Sequence, residues 1–77
     1  MTRGEFVVLE AAGREPITAF VALASVNGAS LIVMFDGLVD GCAGAMPLLR
    51  DPEGVYRNIY TGRPVTMRPF TARGEPA

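Results

Sequence analysis

The residues with the clearest chemical potential lie in the C-terminal third of the chain, where arginines alternate with aromatic residues and no acidic residue lies between 55 and 74. The set that could bind a nucleic acid or another anion is Tyr56, Arg57, Tyr60, Arg63 and Arg68. Arginine neutralises phosphate and exposed aromatic rings stack on bases, so this pattern is typical of sites for single-stranded RNA or DNA. The competing interpretation is a solvated edge hairpin whose arginines discourage aggregation and pair with acidic residues elsewhere.

The charge distribution bears on that choice. Residues 1–49 contain two arginines and five acidic residues, a net charge of −3, whereas residues 50–77 contain five arginines and three acidic residues, a net charge of +2. The whole chain therefore carries a formal net charge of −1, and a nucleic acid would have to bind to the basic segment alone. We therefore treat nucleic-acid binding as the less favoured of two hypotheses.

Catalytic groups are scarce in this sequence. The chain has no histidine, no lysine and one cysteine, Cys42. A cysteine nucleophile needs a base to form its thiolate, so we expect Cys42 to be a small buried hydrophobic residue. The segment 36–44 is rich in glycine but lacks a phosphate-binding motif, and Asp36 and Asp40 lack the spacing of a calcium loop, so its glycines predict repeated turns. The sequence thus predicts a protein without catalytic activity, metal or cofactor.

Length and composition indicate one small globular domain. Of the 77 residues, 49% are hydrophobic, which excludes a disordered chain. We expect a single domain over 1–71 and a flexible C-terminal tail over 72–77. A domain of this size buries only roughly 60% of its extended-chain surface, so its stability as a monomer is marginal and an oligomer is favoured.

The expected compartment is the cytoplasm. A single cysteine cannot form an internal disulfide, which favours a reducing environment. The N-terminal apolar run is interrupted at Glu10, too early for a signal peptide. The apolar stretch 19–35 has a polar centre at Asn27, so it suits a turn better than a membrane span, and no membrane partner is expected.

The segment 17–36 organises the predicted fold as a β-hairpin. Two apolar runs flank Asn27-Gly28, and this dipeptide is typical of a two-residue type I′ turn. That turn pairs Ala24 with Leu31, Ala22 with Val33 and Phe20 with Phe35, and it gives the hairpin two apolar faces. The alternative is an α+β fold with a helix at 16–26, starting at Pro16.

The remaining segments predict further strands joined by tight turns. Phe6–Glu10 is prone to β structure, and Asp51-Pro52-Glu53-Gly54 matches a type I turn. The segments 55–60 and 63–70 are expected to form a hairpin around Gly62, and two prolines in the last segment place it at a sheet edge. The prediction is a mainly β protein, an antiparallel meander of five or six strands that forms a bent sheet or a small barrel of SH3-like or OB-like size.

The two apolar faces of the central hairpin lead to the favoured functional hypothesis. An antiparallel hairpin normally has one wet face, so two apolar faces imply cover on both sides. The sequence predicts that one face belongs to the core and the other to a homodimer interface, in a noncatalytic protein-interaction module. The predicted interface residues are Val21, Leu23, Ile32 and Met34. The alternative is the opposite face, with Phe20, Leu31, Val33 and Phe35.

Overall fold

The computed structural model describes residues 2–11 and 15–70, and these form six antiparallel strands. The strands are β1 (Phe6–Ala11), β2 (Ile17–Ala24), β3 (Ser30–Val39), β4 (Cys42–Arg50), β5 (Tyr56–Asn58) and β6 (Val65–Pro69). They make one sheet in the order β5-β4-β3-β2-β1-β6, and a bridge between Arg57 and Pro64 brings its two ends together. The sheet is therefore a nearly closed barrel, which confirms the predicted mainly β fold.

The structure decides the alternative helix at 16–26 but does not test the predicted C-terminal tail. The alternative helix at 16–26 is wrong, because β2 occupies Ile17–Ala24 and the described residues contain no helix. Several β-branched and aromatic side chains in this run favour the strand. The predicted tail at 72–77 lies outside the described residues.

The core fills the inside of the barrel with alternate residues of the strands. The buried hydrophobic residues are Val7, Leu9, Ala19, Val21, Leu31, Val33, Val39, Met46, Leu48 and Val65. Every strand except the short β5 contributes to this set. The core therefore depends on closure of the sheet and not on a second layer.

The loop between β2 and β3 is longer than the predicted two-residue turn. The Ser25 N–H donates to the Ser30 carbonyl and the Gly28 N–H donates to the Ser25 carbonyl, both at 2.9 Å. The loop therefore spans four residues, 26–29, and within it only Gly28 takes a positive φ, 71°. The Asn27 side chain instead accepts the Ala29 N–H at 3.0 Å, so this side chain holds the loop together.

A β-bulge at Ala22 changes the predicted register of this hairpin. Ala24 pairs with Leu31 as predicted, but beyond the bulge Val21 pairs with Val33 and Phe20 pairs with Met34. The predicted pairing of Phe20 with Phe35 is therefore wrong. A shift of one residue moves side chains to the other face, and it turns Val21 into the core while Leu23 stays outside.

The type I′ turn that the sequence suggested for β2–β3 occurs instead between β3 and β4. Val39 pairs with Cys42, and the two residues between them, Asp40 and Gly41, have φ values of 47° and 82°. Positive φ at both central residues is the requirement of this turn. The glycine-rich segment 36–44 therefore continues two strands through one tight turn.

The C-terminal part of the chain closes the barrel. The type I turn at Asp51–Gly54 is confirmed, because the Gly54 N–H donates to the Asp51 carbonyl at 3.0 Å. The predicted hairpin between 55–60 and 63–70 is confirmed only as a single antiparallel bridge, from Arg57 to Pro64, because β5 otherwise pairs with β4 and β6 crosses to pair with β1. Pairing with β1 gives Val65 a place in the core, and β6 lies at the edge of the strand order, as predicted.

Candidate functional site

Outward-facing side chains of β1 to β4, with one residue after β5, form a continuous apolar surface, which we call the outer face. Its members are Phe6, Phe20, Leu23, Ile32, Met34, Pro47, Leu49 and Ile59. Phe20 and Pro47 are half-buried and the others are exposed; Met34, near the middle, is 51% exposed. Exposed apolar patches of this extent mark interaction surfaces in soluble proteins.

Cross-strand pairing makes these residues neighbours. One row runs from Phe6 through Phe20 to Met34, and the rings of Phe6 and Phe20 are 5.1 Å apart in a tilted arrangement. A second row runs from Leu23 through Ile32 to Pro47. Residues directly opposite on one face of a sheet lie about 4.5–5.5 Å apart, so each row is a contiguous contact surface.

The second row continues to β5, because the Ile59 N–H donates to the Pro47 carbonyl at 3.2 Å. Leu49 lies one row further along β4, where it pairs with Ser30 on one side and Arg57 on the other. The outer face therefore extends over β1 to β4 and reaches the residue that follows β5. Its centre lies on β3.

An ion pair lies at each end of the outer face. At the β1 end, Arg68 Nε is 2.8 Å from Glu10 Oε1, and at the β5 end, Arg57 Nε is 3.0 Å from Asp51 Oδ2. The Val55 backbone N–H, with a smaller contribution from Arg57, lowers the pKa of Asp51. Each end thus carries one positive and one negative group, and the apolar rows between them carry no formal charge.

The predicted interface residues divide between the two sides of the sheet. Leu23, Ile32 and Met34 lie together on the outer face and are exposed, but Val21 is fully buried, so its assignment to an exposed interface is wrong. The bulge at Ala22 is the reason. Of the alternative set, Leu31 and Val33 are buried in the core, Phe35 packs against it, and only Phe20 faces outward.

Sequence analysis missed four members of the outer face, Phe6, Pro47, Leu49 and Ile59. A signal was present for the first three, because Phe6–Leu9 is apolar at every position and residues 46–49 are likewise apolar. A strand that is apolar on both faces needs cover on both faces. The same argument that was applied to the central hairpin would have found them.

The predicted anion-binding residues do not converge on one face. Arg57, Arg63 and Arg68 pair with Asp51, Asp40 and Glu10. Tyr60 is exposed. The Tyr56 side chain is turned inward, where its hydroxyl donates to the Gly28 carbonyl and its ring packs against the core.

A polar cluster that the sequence did not predict lies at one end of the barrel and is centred on Asp40, whose side chain is 7% exposed. Asp40 Oδ2 accepts the Thr61 hydroxyl at 2.7 Å and Asn58 Nδ2 at 3.1 Å, and its Oδ1 accepts Arg63 at 3.1 Å. Asn58 is fully buried. We call these four residues the Asp40 cluster.

The Asp40 cluster joins the β3–β4 turn to the segment between β5 and β6. Asn58 also accepts the Tyr60 N–H through its Oδ1 at 2.9 Å, and its backbone N–H donates to the Arg63 carbonyl. Among the described residues no buried side-chain nitrogen or oxygen lacks a partner. The cluster is therefore a satisfied polar network that holds the barrel closed.

The chemistry open to the Asp40 cluster is limited by its own hydrogen bonds. The Thr61 hydroxyl, together with Asn58 and Arg63, lowers the pKa of Asp40 despite its burial. A carboxylate with a lowered pKa is a weak base near neutral pH. Within the described residues, no three potential ligands come together as a metal site, and Cys42 packs against the core with its sulfur 3.5 Å from Asn58 Nδ2.

Comparison with known proteins gives no functional assignment, so function is inferred from the outer face and the Asp40 cluster. No protein-family model matches the chain, and no curated protein or solved structure matches it. None of the described residues belongs to a helix that is long and apolar enough to cross a bilayer.

Proposed function

We propose that this chain is a noncatalytic β domain that associates with a second copy of itself through the outer face and serves as a protein-interaction module. The observation that carries the proposal is the apolar surface centred on Ile32 and Met34. It runs across the sheet between two ion pairs that are each formed within the chain. We assign it to the cytoplasm, because a single free thiol suits a reducing compartment.

The composition of the outer face supports an interface. Aromatic residues and methionine are enriched in the buried centres of protein interfaces, and charged residues are depleted there. Phe6, Phe20 and Met34 form one row of this surface, and an ion pair lies at each end of the surface.

The charge pattern favours a second copy as the partner. In a twofold dimer the same patch is used by both chains, so it must be complementary to itself. An uncharged centre with one acid and one base at each end meets this condition, because no like charges are forced together. A strongly acidic or basic partner would find no matching field on this face.

Size also favours self-association. A standard interface buries about 800 Å² on each partner, which is roughly one sixth of the 4862 Å² accessible surface of this chain. A single core of this size rarely supplies more than about 3–5 kcal/mol of stability. Dimerisation would cover apolar area that folding of one chain leaves in water.

The test is the mass of the protein in solution. Sedimentation or light scattering of the wild type at micromolar concentration should give a dimer, and Met34→Arg should give a monomer with unchanged circular dichroism, since position 34 is exposed. Val26→Arg is the matched control, because Val26 is exposed in the β2–β3 loop outside the outer face. A wild type that stays monomeric would contradict the proposal.

Nucleic-acid binding is the second hypothesis, with Tyr56, Arg57, Tyr60, Arg63 and Arg68 as its residues. Phosphates would have to replace the carboxylate partners of all three arginines, and Tyr60 would be the exposed ring available for stacking. Binding of this kind weakens steeply with salt. Shifts of the Tyr60 and arginine resonances on titration with an oligonucleotide at low salt would favour this hypothesis over self-association.

A further inference from the structure

A pocket of about 230 Å³ opens on the outside of the barrel where β4 runs beside β5. Leu49 and Ile59, which are 52% and 55% exposed, give it an apolar wall. Arg57 pairs with Leu49 across the two strands, and Arg57 and Asp51 also line the pocket as an ion pair. The pocket therefore sets one positive and one negative group beside an apolar surface.

Both members of this ion pair are held in place by the backbone around them. Asp51 Oδ1 accepts the backbone N–H groups of Glu53 and Val55, each at 2.9 Å. Arg57 Nε donates to Asp51 Oδ2 and its Nη1 donates to the Gly62 carbonyl, each at 3.0 Å. A ligand would meet two charges that are already positioned, so it would not have to order their side chains.

The ion pair keeps hydrogen-bonding capacity for a ligand. A guanidinium has five N–H donors, and in the part of the chain that the structure describes the Nη2 group of Arg57 has no partner. Within the same residues, Asp51 Oδ2 accepts one hydrogen bond, from Arg57, and a carboxylate oxygen can accept two. One donor group and one acceptor group are therefore available next to each other.

The paired charges select the charge of the ligand. A ligand with a single net charge would be attracted by one member of the pair and repelled by the other. A dipolar ligand is attracted by both when its carboxylate lies at Arg57 and its ammonium lies at Asp51. An α-amino acid carries these two groups on one carbon atom, so its opposite charges are adjacent, as they are in the ion pair.

The volume and the apolar wall select the side chain of the ligand. A cavity of about 150 Å³ holds a benzene molecule, so a pocket of about 230 Å³ has room for a ring and the few further atoms of an amino acid. We propose that this pocket binds a free α-amino acid with an apolar side chain. The carboxylate accepts from Arg57 Nη2, the ammonium donates to Asp51 Oδ2, and the side chain packs against the apolar wall.

This site does not depend on self-association. The sheet closes on itself through the bridge between Arg57 and Pro64, and β5 lies two strands away from β3 in a barrel of six. The ion pair and Ile59 therefore face away from a second copy that packs on β3. A titration with an amino acid is read in the same way whether the chain is a monomer or a dimer.

Titration with three related probes, followed by NMR, tests the site. Phenylalanine should shift the Arg57 Nε–H and Ile59 methyl resonances with a dissociation constant on the order of 1 mM, as expected for a small ligand in an open pocket. N-acetylphenylalanine lacks the ammonium and phenylalaninamide lacks the carboxylate. Each should bind about fivefold more weakly, because it leaves one member of the ion pair unmatched. The absence of a saturable shift with phenylalanine, or equal affinity for the three probes, would overturn the proposal.

Substitutions locate the binding in this pocket. Ile59→Ala removes part of the apolar wall at an exposed position and should raise the dissociation constant of phenylalanine about threefold. Arg57→Lys keeps the charge but loses the forked donors, and it should raise the constant about fivefold. The matched controls are Val26→Ala, in the β2–β3 loop, and Arg68→Lys, in the ion pair at the β1 end of the outer face.

Both controls should leave the dissociation constant unchanged, and circular dichroism establishes that each variant is folded. If folded Ile59→Ala and Arg57→Lys bind phenylalanine as tightly as the wild type, the ligand lies elsewhere and the proposal is overturned.

Discussion

Asp40 combines two roles that seldom fall on one residue. Its backbone takes the positive φ that the type I′ turn requires, which aspartate tolerates better than most residues. Its side chain accepts hydrogen bonds from Asn58, Thr61 and Arg63. The turn and the closure of the barrel therefore depend on the same residue, and a substitution must preserve the first role in order to test the second.

Asp40→Asn meets that requirement, because asparagine also tolerates positive φ. The substitution removes the charge and one acceptor, so a donor of the Asp40 cluster loses its partner. We expect the free energy of unfolding at pH 7 to fall by about 1–3 kcal/mol, measured by urea denaturation. Asp36→Asn, at an exposed position on β3, is the control and should change it by less than about 0.5 kcal/mol.

The pH dependence of stability provides a second test of Asp40. The hydrogen bond from Thr61 leads the interactions that lower the pKa of Asp40 below its usual 3.8. A carboxyl group whose pKa is lowered by folding stabilises the protein above its unfolded pKa, and this stability is lost as the pH falls through the folded pKa. The wild type should therefore lose stability below about pH 4, and Asp40→Asn should lose less. Asp51 keeps part of the slope in both proteins because its pKa is also lowered; equal slopes would exclude this role for Asp40.

At the scale of the element, the bulge at Ala22 decides which side of β2 meets solvent. In a regular strand, residues 21 and 23 share a face. Here Val21 is fully buried whereas Leu23 is exposed on the outer face. The extra residue between them therefore lets both apolar side chains of β2 be used, one in the core and one at the surface.

Arginine substitutions at these two positions should separate the two roles. Val21→Arg places an unpaired charge in the core and should cost about 4 kcal/mol or more, enough to unfold a small domain. Leu23→Arg should leave the dilute monomer within about 0.5 kcal/mol of wild type but prevent association. Circular dichroism and light scattering distinguish the outcomes, and similar behaviour of the two variants would show that residues 21 and 23 share a face.

The element scale also shows which features the sequence made predictable. The turn at Asp51–Gly54 followed from residue preferences at each position, and the pairing of Ala24 with Leu31 followed from the alternation of the hairpin. The bulge left no local trace, since Ala22 is apolar like its neighbours and can be skipped without exposing a polar group. The pairing of β6 with β1 is a contact between distant segments, and local patterns favoured the nearer hairpin with β5.

The Asp40 cluster escaped prediction for a related reason. Asp40 and Asn58 are 18 residues apart. Each is ordinary in its own segment, because aspartate often precedes glycine in turns and Asn58 follows Arg57 in the short strand β5. Their proximity results from barrel closure, which is a property of the whole chain. The outer face was more accessible to prediction, because Leu23, Ile32 and Met34 lie on one hairpin whose pattern already showed an excess of apolar residues.

For the whole molecule, large apolar side chains lie both in a small core and on the outer face. Folding buries the first, and in the proposed dimer association buries the second. A ligand that binds only the native state stabilises that state. In the proposed dimer the ligand is a second copy of the chain, so the stability of the domain should depend on the protein concentration.

Thermal unfolding measures that dependence directly. Above the dissociation constant, each tenfold increase in protein concentration should add about 0.7 kcal/mol per chain, half of the 1.4 kcal/mol of a tenfold factor because two chains share it. For a domain of this size the midpoint temperature should rise by about 3–6 °C per tenfold step. Met34→Arg should remove the dependence, whereas Val26→Arg should keep it. A midpoint that is the same over a hundredfold range for the wild type would show that the outer face does not bind a second copy, and the cover for this surface would then have to come from a different chain.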